Sequence, residues 1–362
     1  MKKTLIILAI ILLSLSSSAF AAQYTITDLG TLGGDNSHAY AINDSGQVVG
    51  ASDNGTTREA FIFDSNTRII KGLSNGNTSH AYDINSSGQV VGYNNMDSHY
   101  EAFISDGSGE SGSMTSLGRL GNNSSFAYSI NDNSQVVGLS WGPSNKEAFI
   151  SDGTAGNIQV LGTLGGNHAI ARGINNNGQV VGESWQTYYH FEAFISDGII
   201  GGEINGLGSL ASFSSAYGIN DNGQVVGDFW DDSNHEAFIS DGSGEPGSMI
   251  GLGTLGNLSR AYDINNNGIV VGTSDLISGE YHAFIHDGSG MLDLNNLFDN
   301  SDEHWDYLSF ARDINNLGQI VGEGLTADGQ THAFLLTPVP EPASLILLAV
   351  GFGYVRRSRK VE

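Results

Sequence analysis

The chain has 362 residues and carries 39 acidic side chains against 14 basic ones, a formal charge of −25 at pH 7. Six of the basic residues stand in the terminal segments, so the body between them is strongly acidic, which argues against nucleic acid, a partner that needs basic grooves. With no cysteine, disulfides, cysteine-based zinc sites and thiol nucleophiles are excluded, and burial and sheet hydrogen bonds must hold the fold together.

Residues 1–22 read as a secretory signal. Lys2 and Lys3 form a positive start, Leu5 to Leu15 an apolar run, and Ala19-Phe20-Ala21 a small-residue cleavage site. The apolar run is short for a membrane anchor.

From residue 23 to residue 337 one phrase returns seven times: Ile-Asn, then Gly-Gln-Val-Val-Gly, then Ala-Phe. The Ile-Asn pair ends at Asn43, Asn85, Asn131, Asn175, Asn220, Asn265 and Asn315, with spacings of 42, 46, 44, 45, 45 and 50 residues. A period of this length means one supersecondary unit copied and stacked. In the first copy four strand-like pieces are predicted: Tyr24 to Leu29, His38 to Ile42, Gln47 to Ser52 and Glu59 to Phe63. They are rich in β-branched and aromatic residues and too short for helices. Asn-Asp-Ser-Gly, residues 43–46, forms a turn because Asn bonds the backbone ahead and Gly accepts positive φ. In the third copy Ser134 takes that glycine's place, which predicts a slightly strained turn. Asp-Gly pairs such as Asp106-Gly107 and Asp152-Gly153 read as hairpins into the next unit.

Four antiparallel strands per ~40–45 residues describe a propeller blade. The fold class is therefore all-β, a seven-bladed β-propeller. A β-solenoid is the alternative, although its coils are usually shorter, ~20–30 residues. The strand Tyr24 to Leu29 is expected to lie beside the last copy and close the ring, removing exposed edges.

Leu-Gly-Thr-Leu-Gly-Gly (Leu29 to Gly34, Leu161 to Gly166), Ala-Tyr-x-Ile-Asn, Gly-Gln-Val-Val-Gly and the literal His-Ala-Phe at 282–284 and 332–334 resemble the HAF repeat of bacterial extracellular proteins. The resemblance implies an exported repeat protein and brings no catalytic residues with it. Residues 338–362 carry a second signature. Pro340-Glu341-Pro342 leads into an apolar run from Leu345 to Val355, followed by Arg356, Arg357 and Arg359. This order resembles the PEP-CTERM sorting signal. The resemblance implies exosortase as a partner and release or attachment at the cell exterior; retention as a C-terminal inner-membrane anchor is the alternative. The apolar run departs from a full span, since 11 residues at ~1.5 Å each reach only ~16 Å of a ~30 Å core.

Five copies carry Glu before Ala-Phe (Glu59, Glu101, Glu147, Glu192, Glu236) and two carry His (His282, His332). These read as solvent-facing residues at strand starts; the alternative is a ring that lines a channel or binds a cation. The Asn-Asp turns offer too few carboxylates for a calcium loop, and turn chemistry explains their Asn better; a looser cation site around Asp228, Asp231 and Asp232, where acidic groups crowd, is the weaker alternative. No metal site and no cofactor are read from the sequence.

One column breaks the repetition. Three residues past Gly138, Gly182 and Gly227 stand Trp141, Trp185 and Trp230, where the other copies have Asp53, Asn95, Asp275 and Leu325. Tyr188 and Tyr189 follow nearby. Aromatic faces beside polar groups suit a sugar surface, so these five residues are the candidate ligand-binding set, with an extracellular polysaccharide as partner; packing between blades is the competing reading. No nucleophile elbow, zinc-protease motif or phosphate loop occurs. Glu183, Asp228, Asp231 and Asp232 are the first carboxylates to test for glycoside cleavage. The sequence thus points to a non-enzymatic, surface-sorted polymer binder. Its rivals are a structural matrix component without a ligand and a secreted carbohydrate-active enzyme.

Overall fold

In the computed structural model, residues 23–340 are described, apart from 75–76, 111–112, 122, 143–144, 188–189, 209, 211, 231–234, 246 and 301–303. The signal segment and the tail from Glu341 onward lie outside the described residues. Among those described, no helix is long and apolar enough to cross a membrane.

The repeated phrase folds into seven four-stranded antiparallel sheets, the blades of a propeller. Blade 1 runs from the innermost strand Ser37–Ile42 through Gln47–Asp53 and Arg58–Asp64 to the outermost strand Ile69–Gly72. Blades 2 to 6 repeat this order within residues 79–118, 125–160, 169–206, 213–251 and 259–293. Blade 7 has Trp305–Ile314, Ile320–Thr326 and Thr331–Pro338, and its fourth strand is the N-terminal Tyr24–Asp28. That strand pairs antiparallel with the third, Tyr24 opposite Pro338 and Asp28 opposite Phe334, so the ring closes as expected.

Two expectations need correction. The piece from Tyr24 is no part of blade 1, whose fourth strand is instead Ile69–Gly72. The Asp-Gly turns do not lead into the next unit; Asp106-Gly107 lies between Tyr100–Ser105 and Met114–Gly118 of the same blade. The cause is common to both. Outermost strands are three to five residues long and half exposed, so no hydrophobic pattern marks them.

Each phrase has a mechanical reason. The last Gly of Val-Val-Gly lies under the neighbouring inner strand: a Cβ on Gly182 would run into the Ile170 carbonyl oxygen and, at 3.0 Å, the Phe194 ring. The Phe of Ala-Phe fills the space so defined and is fully buried in six copies, as at Phe149 and Phe194, each worth ~1.5–3 kcal/mol of burial. Apolar clusters straddle blade boundaries. Val137, Ala148 and Ile150 of blade 3 pack on Ala171, Val180 and Phe194 of blade 4, and Val321, Ala333 and Leu335 of blade 7 pack on Ala39, Val48 and Phe61 of blade 1.

The Ile-Asn asparagine does more than start a turn. Asn175 Oδ1 accepts the backbone N–H of Asn177 (3.1 Å) and Gln179 (2.9 Å), while Nδ2 donates to Gln179 Oε1 (2.8 Å). The same Nδ2 donates to the Asn220 carbonyl of the next blade at 3.0 Å. All seven asparagines do this in turn, ending with Asn315 to the Asn43 carbonyl at 3.1 Å. The result is a closed circle of hydrogen bonds at one end of the ring. Ser134 adopts φ 62° where other copies place glycine, as expected of a strained turn, and its Oγ donates to Gln89 Oε1 in the neighbouring blade at 2.7 Å.

Candidate functional site

The tryptophan column lies at the opposite end of the strands from the asparagine circle. The Gly-rich turn shares that end, since Gly34 N–H donates to the carbonyl of Asp53, the blade 1 residue of the column, at 3.0 Å. Antiparallel pairing sets a second residue beside each member of the column. The seven rim pairs are Asp53 and Arg58, Asn95 and Tyr100, Trp141 and Lys146, Trp185 and Phe191, Trp230 and His235, Asp275 and Tyr281, and Leu325 and Thr331. Blades 2 to 6 therefore each present at least one aromatic ring on this rim. Tyr100, Phe191 and Tyr281 were missed by the sequence reading. Their signal was available: each stands one residue before the Glu or His of the Ala-Phe phrase.

The three tryptophans are not equivalent. Trp141 is 43% exposed, with Lys146 Nζ 5.2 Å from its ring centre. Tyr100 and Tyr281 are similarly open, at 39% and 41%. Trp185 and Trp230 are half buried and flank Phe191, at centroid distances of 4.9 and 5.0 Å, and Phe213 packs on both Phe191 and Trp230. This knot joins blades 4 and 5. Packing between blades thus describes Trp230 in part, through Phe191 of blade 4; Trp185 packs on Phe191 within its own blade, whereas Trp141 faces solvent. Tyr188, Tyr189, Asp231 and Asp232 lie outside the described residues, as do Glu341, Pro342, Arg356, Arg357 and Arg359; Pro340 is described and exposed.

Between the two ends runs a central cavity of about 600 Å³. One tier of its wall is Tyr40, Tyr82, Tyr128, Arg172, Tyr217, Tyr262 and Arg312, the residues three before each Asn. Burial pushes Tyr40 up to about 12 and raises Tyr82 and Tyr217 further. The next tier brings in Asp83, Asp263 and Asp313. Asp83 accepts from Ser129 Oγ (2.7 Å), Ile130 N–H (2.8 Å) and Ile84 N–H (2.7 Å), yet burial still raises its pKa to about 6. Burial and the neighbouring Asp263 carboxyl raise Asp313 as well.

Of the carboxylates singled out for cleavage chemistry, Glu183 and Asp228 are described, and both are engaged. Arg172 holds Glu183 by two bonds of 2.6 Å; burial disfavours the Arg172 charge, but the Glu183 carboxylate more than offsets this and raises its pKa. Asp228 Oδ2 meets His235 Nε2 at 2.6 Å and Arg260 Nε at 2.9 Å, the latter from the next blade.

The Glu and His series before Ala-Phe is neither a channel lining nor a set of solvent-facing strand starts. Glu59 is buried and the others are half buried. Outside blade 3 they hydrogen-bond the outermost strand or the residues just past it. In blades 1, 4 and 5 the glutamates accept backbone N–H groups of Ser74 (3.0 Å), Gly208 (2.9 Å) and Gly253 (2.7 Å). The residue opposite Phe is then glycine, at Gly72, Gly206 and Gly251, where a Cβ would collide with the carboxylate. In blades 6 and 7 both members change together. Asp293 and Asp28 replace glycine, and His282 and His332 bond them at 2.8 Å.

Residues 33–109 match the family model described as protein of unknown function (DUF3466), and residues 338–360 match the PEP-CTERM protein-sorting motif. The motif marks the chain as an exported, cell-surface-sorted propeller processed by exosortase. No curated protein matches the chain. Among solved structures, a putative TolB from Agrobacterium tumefaciens is similar with TM-score 0.50 at 12% identity, over 84% of this chain and 100% of that one. A puromycin hydrolase S511A mutant complexed with PGG gives 0.54 at 13%, over 87% and 55%. An acylaminoacyl peptidase in complex with Z-Gly-Gly-Phe-chloromethyl ketone gives 0.51 at 13%, over 90% and 53%. The chain spans about half the length of these last two. At such identities the likeness is one of fold.

Proposed function

We propose that this exported propeller is a non-enzymatic module that binds glycan or another extracellular polymer along its aromatic rim. The observation that carries the reading is the rim itself. In a body where most columns repeat, one face varies, and five consecutive blades place Tyr100, Trp141, Trp185 with Phe191, Trp230 and Tyr281 there. Flat apolar faces flanked by Lys146 and Asn95 supply what a sugar ring and its hydroxyls require. An arc also suits a chain rather than a monosaccharide, because successive blades offer successive stacking positions. Glu183 and Asp228, already held by arginine, leave little room for paired acid–base chemistry.

Affinity electrophoresis of the full-length chain against a panel of soluble polysaccharides tests this. Retardation by at least one polymer, reduced several-fold in Trp141→Ala and Tyr281→Ala, is expected. Equal mobility of wild type and both variants on every polymer would sink the reading and leave the purely structural one, which the packing of Phe191 on Phe213 and Trp230 across blades 4 and 5 favours.

A further inference from the structure

We propose that Asp28, His304 and His332 form a transition-metal site, suited to zinc(II), that clasps the first strand to the last blade. One ligand atom from each lies within 4.8 Å of the others. Both imidazoles converge on one oxygen: His304 Nε2 and His332 Nδ1 each stand 2.8 Å from Asp28 Oδ2. Three separate segments supply them. Asp28 ends the N-terminal strand, His332 lies in the third strand of blade 7, and His304 precedes its innermost strand.

The surroundings fit a metal's outer shell. Asp28 Oδ1 accepts the Gly30 N–H at 2.8 Å, which turns Oδ2 toward the imidazoles. The backbone of His304 is pinned by Ala327 N–H at 3.0 Å. Two imidazoles and a carboxylate select zinc and its neighbours over calcium. Bonds of ~2.1 Å at tetrahedral angles separate ligand atoms by ~3.4 Å, so each imidazole needs to withdraw by only about half an ångström. The His304 side chain is 41% exposed, which leaves an approach for the ion and a fourth ligand. Blade 6 is an internal control: His282 and Asp293 pair at 2.8 Å, but they belong to no cluster of three ligands among the described residues.

The test titrates metal-stripped full-length chain with Zn²⁺ by calorimetry, with Co²⁺ visible absorption as a second readout. One equivalent is expected to bind, with affinity at least tenfold weaker in His304→Gln and in His332→Gln and unchanged in His282→Gln. The unfolding midpoint is expected to rise with Zn²⁺ in wild type and not in His304→Gln. The partly exposed His304 keeps the test decisive if His332→Gln folds poorly. Absence of saturable binding, or equal affinity in His304→Gln, overturns the proposal.

Discussion

The two ends of the ring use the same strands to different purpose. At one end seven asparagines make the same hydrogen bond to the next blade, at 3.0–3.2 Å, all the way round. At the other, seven rim pairs share a register and almost nothing else, from Asp53 with Arg58 to Trp185 with Phe191. Closure is a geometric demand that every blade must meet, so its residues repeat. A binding surface needs different groups at different places, so its residues diverge once the frame is secured. Sameness in a column therefore reads as mechanics, and departure from sameness is where chemistry should be sought.

The blade interior sets the scale for both ends. Gly182→Ala drives a methyl against the Ile170 carbonyl and the Phe194 ring, and backbone cannot yield as a side chain can. A loss of about 3 kcal/mol or more is expected, read as a lowered urea midpoint; a loss below about 1 kcal/mol would show that the strands can part at this point.

Next in size is the asparagine end. Asn175→Ala removes two donated and two accepted hydrogen bonds at a site only 4% exposed. About 2–3 kcal/mol is expected, because the Asn220 carbonyl and two turn N–H groups lose partners. The sharper form compares copies: Asn131→Ala and Asn220→Ala should cost the same within about 0.5 kcal/mol. Unequal costs would deny that the circle is uniform.

Much of this was legible in the sequence, for a physical reason. Ile-Asn, Val-Val-Gly and Ala-Phe are buried contacts that recur with the period, so they announce both the blade and the count. Ile69–Gly72 and its counterparts stay hidden because a half-exposed strand accepts almost any residue. The asparagine circle was hidden differently. The turn explains Asn locally, while its second partner lies 42 to 50 residues away. The clasp at Asp28 joins residues 276 and 304 positions apart. Its one trace was the longest spacing, 50 residues between Asn265 and Asn315, which contains the segment with His304.

Between the ends, Asp83 offers a pH test. Burial raises its pKa to about 6, against ~3.9 in an unfolded chain. The folded state therefore holds this proton more tightly, a contribution fully present below pH ~4 and lost as pH rises through 6. Asp83→Asn does not titrate, so its unfolding temperature relative to wild type should climb between pH 4 and 7, by the equivalent of about 2 kcal/mol. A difference constant across that range would contradict the assigned shift.

The smallest stability effect is expected where the binding effect is largest. Trp141 meets water over 43% of its surface, with the Lys146 ammonium 5.2 Å from its ring centre, so Trp141→Ala should change stability by less than about 0.5 kcal/mol. Trp185→Ala removes the blade 4 partner of Phe191, the ring that packs on Phe213 and Trp230 of blade 5, and should cost about 1–3 kcal/mol. Urea melts of the two variants, run beside polymer retardation, separate the roles that a shared column conceals. If the rim is a binding surface, Trp141→Ala loses retardation with its melt intact. If the aromatics serve only to join blades, the melts differ as stated, and retardation follows neither of them.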